Sequence, residues 1–169
     1  MANIIQAIVT TDGRVALAKS FGGPIGVSGG YQWSYGKYFK IGTGGYHDTG
    51  TILEPVTPDP ALHDIQAATS GIFWYKKTFQ TSDFLFVAPA TMQFRCFLDL
   101  TEANGDGSEP NTGDSLDGPK QSSTLGGQPP TFFELGIFDN QDVMVAYGTF
   151  PSETKLDNKT LNHLVNINF

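Results

Sequence analysis

The chain has 169 residues and a formal net charge of −7, with 10 Lys and Arg against 17 Asp and Glu. This acidic balance leaves little for the basic surface that generic nucleic-acid binding needs. The chain also contains 20 Gly, 10 Pro and 13 Phe. Since glycine and proline disfavour helices whereas phenylalanine suits sheets, this composition predicts a mainly β protein. The single cysteine, Cys96, excludes an internal disulfide framework and a cysteine-based zinc site.

Residues 1–6 lack the basic segment followed by an apolar core that marks a secretory signal. No stretch approaches the roughly 18 apolar residues of a membrane-spanning helix, so no membrane insertion is expected. The length favours a single domain over residues 1–169. We expect the product to be made in a cytoplasm.

The first half of the chain predicts short strands and two short helices. Residues 4–10 favour a strand, and residues 13–21 favour a helix whose apolar side chains share one face. These side chains are Val15, Leu17, Ala18 and Phe21. Asp59 followed by Pro60 is typical of a helix start, so a second helix is expected over residues 60–69.

Three aromatic residues alternate within a glycine-rich segment, namely Tyr31, Trp33 and Tyr35. On a strand, alternate side chains share one face. Such a stripe could stack on sugar rings, or it could pack in the core or in a subunit contact. The sequence leaves both interpretations open, and the three residues are candidates for contact with a partner.

The second half predicts further strands, and residues 91–100 show the clearest pattern. Their alternate residues are apolar, and we expect this face to pack against a C-terminal hairpin formed by residues 132–139 and 143–150. The face consists of Met92, Phe94, Cys96, Leu98 and Leu100. Other strands are expected over residues 72–79, 83–88, 132–139, 143–150 and 161–169. Together these elements predict an antiparallel β-sandwich-like domain with one or two short helices.

Residues 101–131 differ from the rest of the chain, because they contain six Gly, four Pro and no aromatic residue. Such a segment cannot build a core of its own. We expect a long loop or arm inserted between two strands. Its acidic residues are candidates for contact with a polar or basic partner surface, and they are Glu102, Asp106, Glu109, Asp114 and Asp117. The alternative is a solvated loop without such a role.

No catalytic or phosphate-binding motif occurs in the sequence. The three histidines, His47, His63 and His163, have no metal-binding spacing. Residues 102–108 partly resemble a calcium loop, but Gly113 occupies the position that a bidentate carboxylate should hold. We therefore expect neither a cofactor nor enzymatic activity.

The segment ELGIFD, followed by VMVAYGTFP, resembles the tail-collar fibre and baseplate-associated proteins of tailed bacteriophages. The motif consists of Glu134, Leu135, Gly136, Ile137, Phe138 and Asp139. Residues 7–18 resemble the opening strand and helix of that family, residues 41–44 its glycine turn, and residues 93–100 its middle strand. The insertion over residues 101–131 is longer than the family pattern.

The motif also has a structural interpretation of its own. Gly136 permits close approach of a neighbouring backbone, and Asp139 can start a turn by accepting hydrogen bonds from its own backbone. Glu134 lies among apolar residues and would need hydrogen-bond partners if buried. We therefore expect a structural rather than a catalytic role for Glu134.

The resemblance implies a virion structural protein, a baseplate or tail-fibre-adaptor subunit that connects tail components through protein–protein contacts. Its partners would be other tail or baseplate proteins, including a tail fibre, and it would form a homo-oligomer within that assembly. The chain stops at Phe169 without a repetitive shaft, which favours a short adaptor over a full-length fibre. The alternative is a carbohydrate- or receptor-binding module of the tail, and a further one is a small tail-associated hydrolase.

Overall fold

The computed structural model describes residues 3–22, 36–70, 73–103, 118–119 and 129–168. Within these ranges the protein is mainly β, as the composition predicts. The strands are β1 (Asn3–Val9), β2 (Gly36–Gly42), β3 (Tyr46–Asp48), β4 (Leu53–Pro55), β5 (Trp74–Thr78), β6 (Phe84–Ala88), β7 (Thr91–Leu98), β8 (Gly118–Pro119), β9 (Thr131–Asp139), β10 (Met144–Thr154) and β11 (Leu161–Asn168). The helices are α1 (Thr11–Gly22) and α2 (Gln66–Ser70), with a 3-10 turn at Thr81–Asp83.

Nine strands form one sheet in the order β6-β7-β11-β1-β10-β9-β2-β5-β8, and β3 pairs with β4 in a separate hairpin. Neighbours in the large sheet are antiparallel except β1 and β11, which run parallel with Ile5 opposite Val165. This pair departs from the expected antiparallel arrangement. A parallel pair needs a long crossover, and here nearly the whole described chain supplies it.

The large sheet curls until its two halves face each other, which produces the sandwich-like packing. Gly36 on β2 lies against the ring of Phe94 on β7, since a Cβ added to Gly36 would lie 2.6 Å from a carbon of that ring. The ring centroid of Phe94 is 5.4 Å from that of Phe79, which follows β5. The enclosed core receives buried side chains from strands throughout the sheet, including β1, β2, β7, β9 and β11.

The apolar face predicted for residues 91–100 is confirmed along β7. Phe94, Cys96 and Leu98 are buried and belong to the same core as residues of the β9–β10 hairpin, and Met92 is half-buried against this core. Leu100 is 48% exposed, so its predicted burial is wrong. The strand ends at Leu98 because the next residues turn, with the Thr101 N–H donating to the Asp99 carboxylate at 2.9 Å.

The first helix begins two residues earlier than predicted and buries a different face. Thr10 caps it, since its hydroxyl accepts from the Gly13 N–H at 2.9 Å. Gly13 and Ala16 are buried, whereas Val15 is 46% exposed. Gly13 lies against the backbone of Val145 on β10, where no side chain would fit. The helix therefore packs through its smallest residues.

The second helix is shorter than the predicted range 60–69. Asp59 forms only a local turn, in which its carboxylate accepts from the Ala61 N–H at 2.8 Å. The carboxylate of Asp64 bonds Lys40 instead of supporting a helix there. Helical structure starts at Gln66. No helix in the described ranges is long and apolar enough to cross a membrane.

Candidate functional site

The ELGIFD motif forms the centre of the sheet. It lies on β9, which pairs with β10 on one side and with β2 on the other. All residues from 132 to 139 are buried, because both faces of this strand are covered. Leu135 and Ile137 point into the main core. On the other face a second cluster, containing Phe138, Ile65 and Tyr147, covers the strand.

The carboxylate of Glu134 is fully buried and accepts three hydrogen bonds. The N–H groups of Gln66 and Ala67 donate to it at 2.9 and 2.7 Å, at the start of α2. The hydroxyl of Tyr147 on β10 donates to it at 2.8 Å. These donors satisfy the expectation that a buried Glu134 requires hydrogen-bond partners. The carboxylate thereby fastens α2 to the sheet.

Three glycines of the 42–45 turn surround this carboxylate. A Cβ added to Gly42 or Gly44 would lie 2.8 or 2.6 Å from Oε1 of Glu134. Gly45 has a φ of +75°, and a Cβ added there would lie 2.6 Å from the Cβ of Glu134. Larger residues at these positions would displace the carboxylate. The glycine turn and the motif are therefore two parts of one packed unit.

Burial determines the acid–base properties of this pair. It raises the pKa of Glu134 above the usual value for a glutamate, although the hydrogen bonds from Ala67, Tyr147 and Gln66 oppose the effect. Burial and the neighbouring Glu134 carboxylate also raise the pKa of Tyr147. Because Glu134 has no exposed surface, it does not present a proton or a lone pair to a substrate. The arrangement stabilises structure.

The remaining polar residue of the motif makes a turn, as predicted. The carboxylate of Asp139 accepts from the N–H groups of Gln141 and Val143 at 2.8 and 2.9 Å. The predicted close approach at Gly136 also occurs, but the approaching group is a side chain. A Cβ added to Gly136 would lie 2.8 Å from Cγ2 of Ile65.

A buried lysine on β2 is a feature that the sequence analysis missed. The ammonium of Lys40 bonds the carboxylate of Asp64 at 2.6 Å. It also lies 4.6 and 4.5 Å from the ring centroids of Trp74 and Phe138. Cation–π contacts and an ion pair together offset the cost of burying this charge. The sequence carries no local signal for it, because its partners lie on different elements.

The acidic arm candidates are only partly within the described chain. Glu102 is buried rather than exposed, and its carboxylate accepts from Lys77 at 2.6 Å and from the Asp99 N–H at 2.9 Å. Glu102 therefore anchors the start of the arm. The other candidates lie outside the described residues, and they are Asp106, Glu109, Asp114, Asp117, Tyr31, Trp33 and Tyr35.

The end of the arm is anchored by Lys155, which is fully buried. Its backbone N–H donates to the carbonyl of Pro130 at 2.9 Å. Its ammonium donates to the carbonyls of Leu100 and Leu156 at 3.3 and 3.2 Å. A single lysine thus contacts the chain on both sides of the arm.

The three histidines are not brought together. His47 is exposed on β3 and lies 3.5 Å from Glu54. His63 is exposed and contacts Asp12 at the start of α1. His163 is buried on β11, where its ring centroid lies 4.6 Å from that of Phe150. In the described part of the chain, no three histidine, cysteine or acidic side chains gather where they could hold a metal ion.

An apolar cleft of about 680 Å³ adjoins the main core, since the core residues Phe79 and Phe94 line it. Its walls include Leu17 of α1, Phe79, and residues of β6 and β7 such as Phe84 and Met92. The cleft therefore adjoins the edge of the sheet that β6 forms.

Comparison of the chain with protein-family models, with curated protein sequences and with solved structures gave no match.

Proposed function

We propose that the protein is a structural subunit of a bacteriophage tail, a baseplate or tail-fibre adaptor that works by binding its neighbours. One observation carries the proposal: the segments that resemble the tail-collar family contact one another. Ile8 on β1 pairs with Tyr147 on β10, and Gly44 lies against Glu134. Resemblances that are separate in sequence thus belong to one packed unit.

The chemistry of the motif supports binding rather than catalysis. Glu134 and Asp139 direct their carboxylates at backbone N–H groups of the protein itself. These carboxylates hold a turn and a helix in place. Because they are used within the protein, contacts with a neighbour would be made by other residues, on the outer surface. The arm is suited to such contacts, because both of its ends are fixed to the domain. Glu102 forms an ion pair with Lys77 at the first end, and Lys155 makes hydrogen bonds at the second.

The direct test is localisation in purified particles of the phage that encodes the chain. We expect mass spectrometry to find the protein in the virion, and immunogold electron microscopy to place it at the tail. A protein absent from the particles, or found in the head alone, would exclude the tail function. Binding to host glycans by the isolated chain, without virion incorporation, would favour a carbohydrate-binding role instead.

A second test concerns the arm. Replacing residues 104–117 by a short glycine linker leaves Glu102, the edge strand β8 and Lys155 in place, so the domain should still fold. Incorporation into particles should fall. A matched control shortens the exposed β3–β4 turn, residues 49–52, and should leave incorporation unchanged. Full incorporation of the arm-shortened protein would show that the arm is a loop without a binding role.

A further inference from the structure

The apolar cleft beside the main core has the size and the lining of a small-molecule site. Its volume of about 680 Å³ lies within the roughly 300–1,000 Å³ of ligand pockets in proteins. Three phenylalanines, Phe79, Phe84 and Phe94, line it. Their ring centroids lie 5.3 to 5.4 Å from one another. These rings give the cleft a rigid apolar wall.

Aliphatic side chains from other elements complete the apolar part of the cleft. Met92 on β7 lies opposite Ile167 on β11, and both line it. Leu17 of α1 and Val145 of β10 line it as well. Leu17, Met92 and Val145 are only half-buried. A ligand with an apolar chain would remove this remaining apolar surface from water, which favours binding.

The polar residues of the cleft lie together where β2 begins and β5 ends. The carbonyl of Lys37 on β2 accepts a hydrogen bond from the Phe79 N–H at 2.9 Å. Thr78 precedes Phe79, and Thr81 begins the 3-10 turn. Lys37, Thr78 and Thr81 all line the cleft. The site therefore combines apolar walls with a small group of hydrogen-bond donors on one side.

Lys37 is the only charged residue among the described residues that line the cleft, although the chain contains 17 Asp and Glu. Its ammonium forms no ion pair with any other described residue. By contrast, Lys40, Lys77 and Lys159 each pair with a carboxylate. The charge at the cleft is therefore complementary to an anionic ligand.

We propose that the cleft binds a small amphiphile of the fatty-acid class, with an apolar chain and one carboxylate. The chain lies against the phenylalanine rings and the aliphatic walls, and the carboxylate accepts hydrogen bonds from the ammonium of Lys37 and the hydroxyl of Thr81. This binding goes beyond the proposed function and does not depend on it, because it is measured with the purified chain alone.

Titration calorimetry with dodecanoate, below its micellar concentration, tests the ligand class. We expect one molecule to bind per chain, and affinity to fall roughly tenfold for each two methylenes removed, in decanoate and octanoate. Dodecyltrimethylammonium should bind at least about tenfold more weakly than dodecanoate, because its cation faces Lys37. Absence of dodecanoate binding, or equal affinity for the anionic and cationic chains, would overturn the inference.

The variant Lys37→Gln tests the carboxylate contact. It should weaken decanoate binding about tenfold and leave the binding of decan-1-ol unchanged, since the alcohol carries no charge. Unchanged alcohol binding also shows that the variant is folded. The matched control is Lys159→Gln, because Lys159 is 40% exposed and does not line the cleft. Equal effects of the two variants on decanoate binding would exclude Lys37 as the partner of the carboxylate.

Methyl NMR spectra of the full chain locate the bound chain. Dodecanoate should shift the methyl signals of Leu17, Met92, Val145 and Ile167, and leave that of Leu53, exposed on β4, in place. Shifts confined to methyl groups outside the cleft would overturn the site. Vesicles of phosphatidylglycerol distinguish a free amphiphile from a lipid surface, and we expect no binding to them. A protein that binds these vesicles but not dodecanoate would overturn the inference.

Discussion

The hydroxyl of Tyr147 donates a 2.8 Å hydrogen bond to the buried carboxylate of Glu134 across two paired strands. The two residues are diagonal neighbours, since Tyr147 lies opposite Gly136 and Glu134 lies opposite Thr149. Because Gly136 has no side chain, Ile65 packs directly against this face of β9. The polar centre of the sheet is therefore specified by three residues of β9 and β10.

Replacing either partner of this hydrogen bond should destabilise the protein, and the loss of Glu134 should cost more than the loss of the Tyr147 hydroxyl. Tyr147→Phe removes one donor to the carboxylate and should lower the free energy of unfolding by about 1–3 kcal/mol. Glu134→Ala leaves the N–H groups of Gln66 and Ala67 unpaired and creates a cavity, so its cost should be larger. Urea denaturation measures both. Glu54→Ala, at an exposed position, is the control, and equal effects of Glu134→Ala and Glu54→Ala would contradict the role of Glu134.

Two glycines with positive φ distinguish the cost of steric crowding at Glu134 from the cost of backbone strain alone. Gly45 and Gly50 have φ of +75° and +81°, but an added Cβ at Gly50 meets nothing within 4 Å. Gly50→Ala should therefore cost only the strain of a left-handed residue, about 1–2 kcal/mol. Gly45→Ala should cost more, because its methyl group would displace Glu134. Thermal denaturation compares the two, and similar melting temperatures would show that the site can relax.

A pair of phenylalanines tests the position of the core. Phe94 is 4% exposed and packs against the rings of Phe79 and Phe84. Phe94→Ala should lower the free energy of unfolding by roughly 3–5 kcal/mol. Phe86→Ala, at a position 75% exposed, should change the free energy of unfolding little when both variants are measured by urea denaturation. Comparable losses in the two variants would place the core elsewhere.

Stability should fall in mild acid because of His163. Burial lowers the pKa of this imidazole below its usual value, although the nearby Glu153 carboxylate opposes the effect. The unfolded chain therefore takes up a proton near pH 6.5 that the folded chain does not. The free energy of unfolding therefore decreases as pH falls below that value. The slope is up to about 1.4 kcal/mol per pH unit.

The variant His163→Leu removes this titration. We expect urea denaturation between pH 8 and pH 5 to show a flatter profile for the variant than for the wild type. His63→Leu, at an exposed position, serves as the control. Parallel profiles for the wild type and His163→Leu would mean that His163 binds its proton equally well in both states.

The single cysteine should be unreactive in the folded protein. Cys96 is 1% exposed, and burial, together with the Asp83 carboxylate, raises the pKa of its thiol. Only the thiolate reacts with common thiol reagents. We expect labelling at pH 8 to be slow and to accelerate in urea at the unfolding transition. Rapid labelling without denaturant would contradict the burial of Cys96.

The sequence predicted those elements whose pattern is local. Alternation along residues 92–98 gives the inner face of β7, and Asp139 indicates the turn between β9 and β10. It did not predict where α2 begins, because its first N–H groups donate to Glu134, a residue distant in the chain. Nor did it predict the covering of the Glu134 carboxylate by Gly44, because chain order does not show which loops meet above a sheet.

The parallel pairing of β1 with β11 has a consequence for folding on the ribosome. Strand β1 is synthesised first, yet both of its neighbours, β10 and β11, are synthesised near the end of the described chain. Strand β11 also lies between β1 and β7, so these two strands have no common neighbour until it emerges. Contacts between distant segments slow folding. The sheet is therefore completed late. A nascent chain stalled before β11 would leave the facing edges of β1 and β7 unpaired and prone to aggregation.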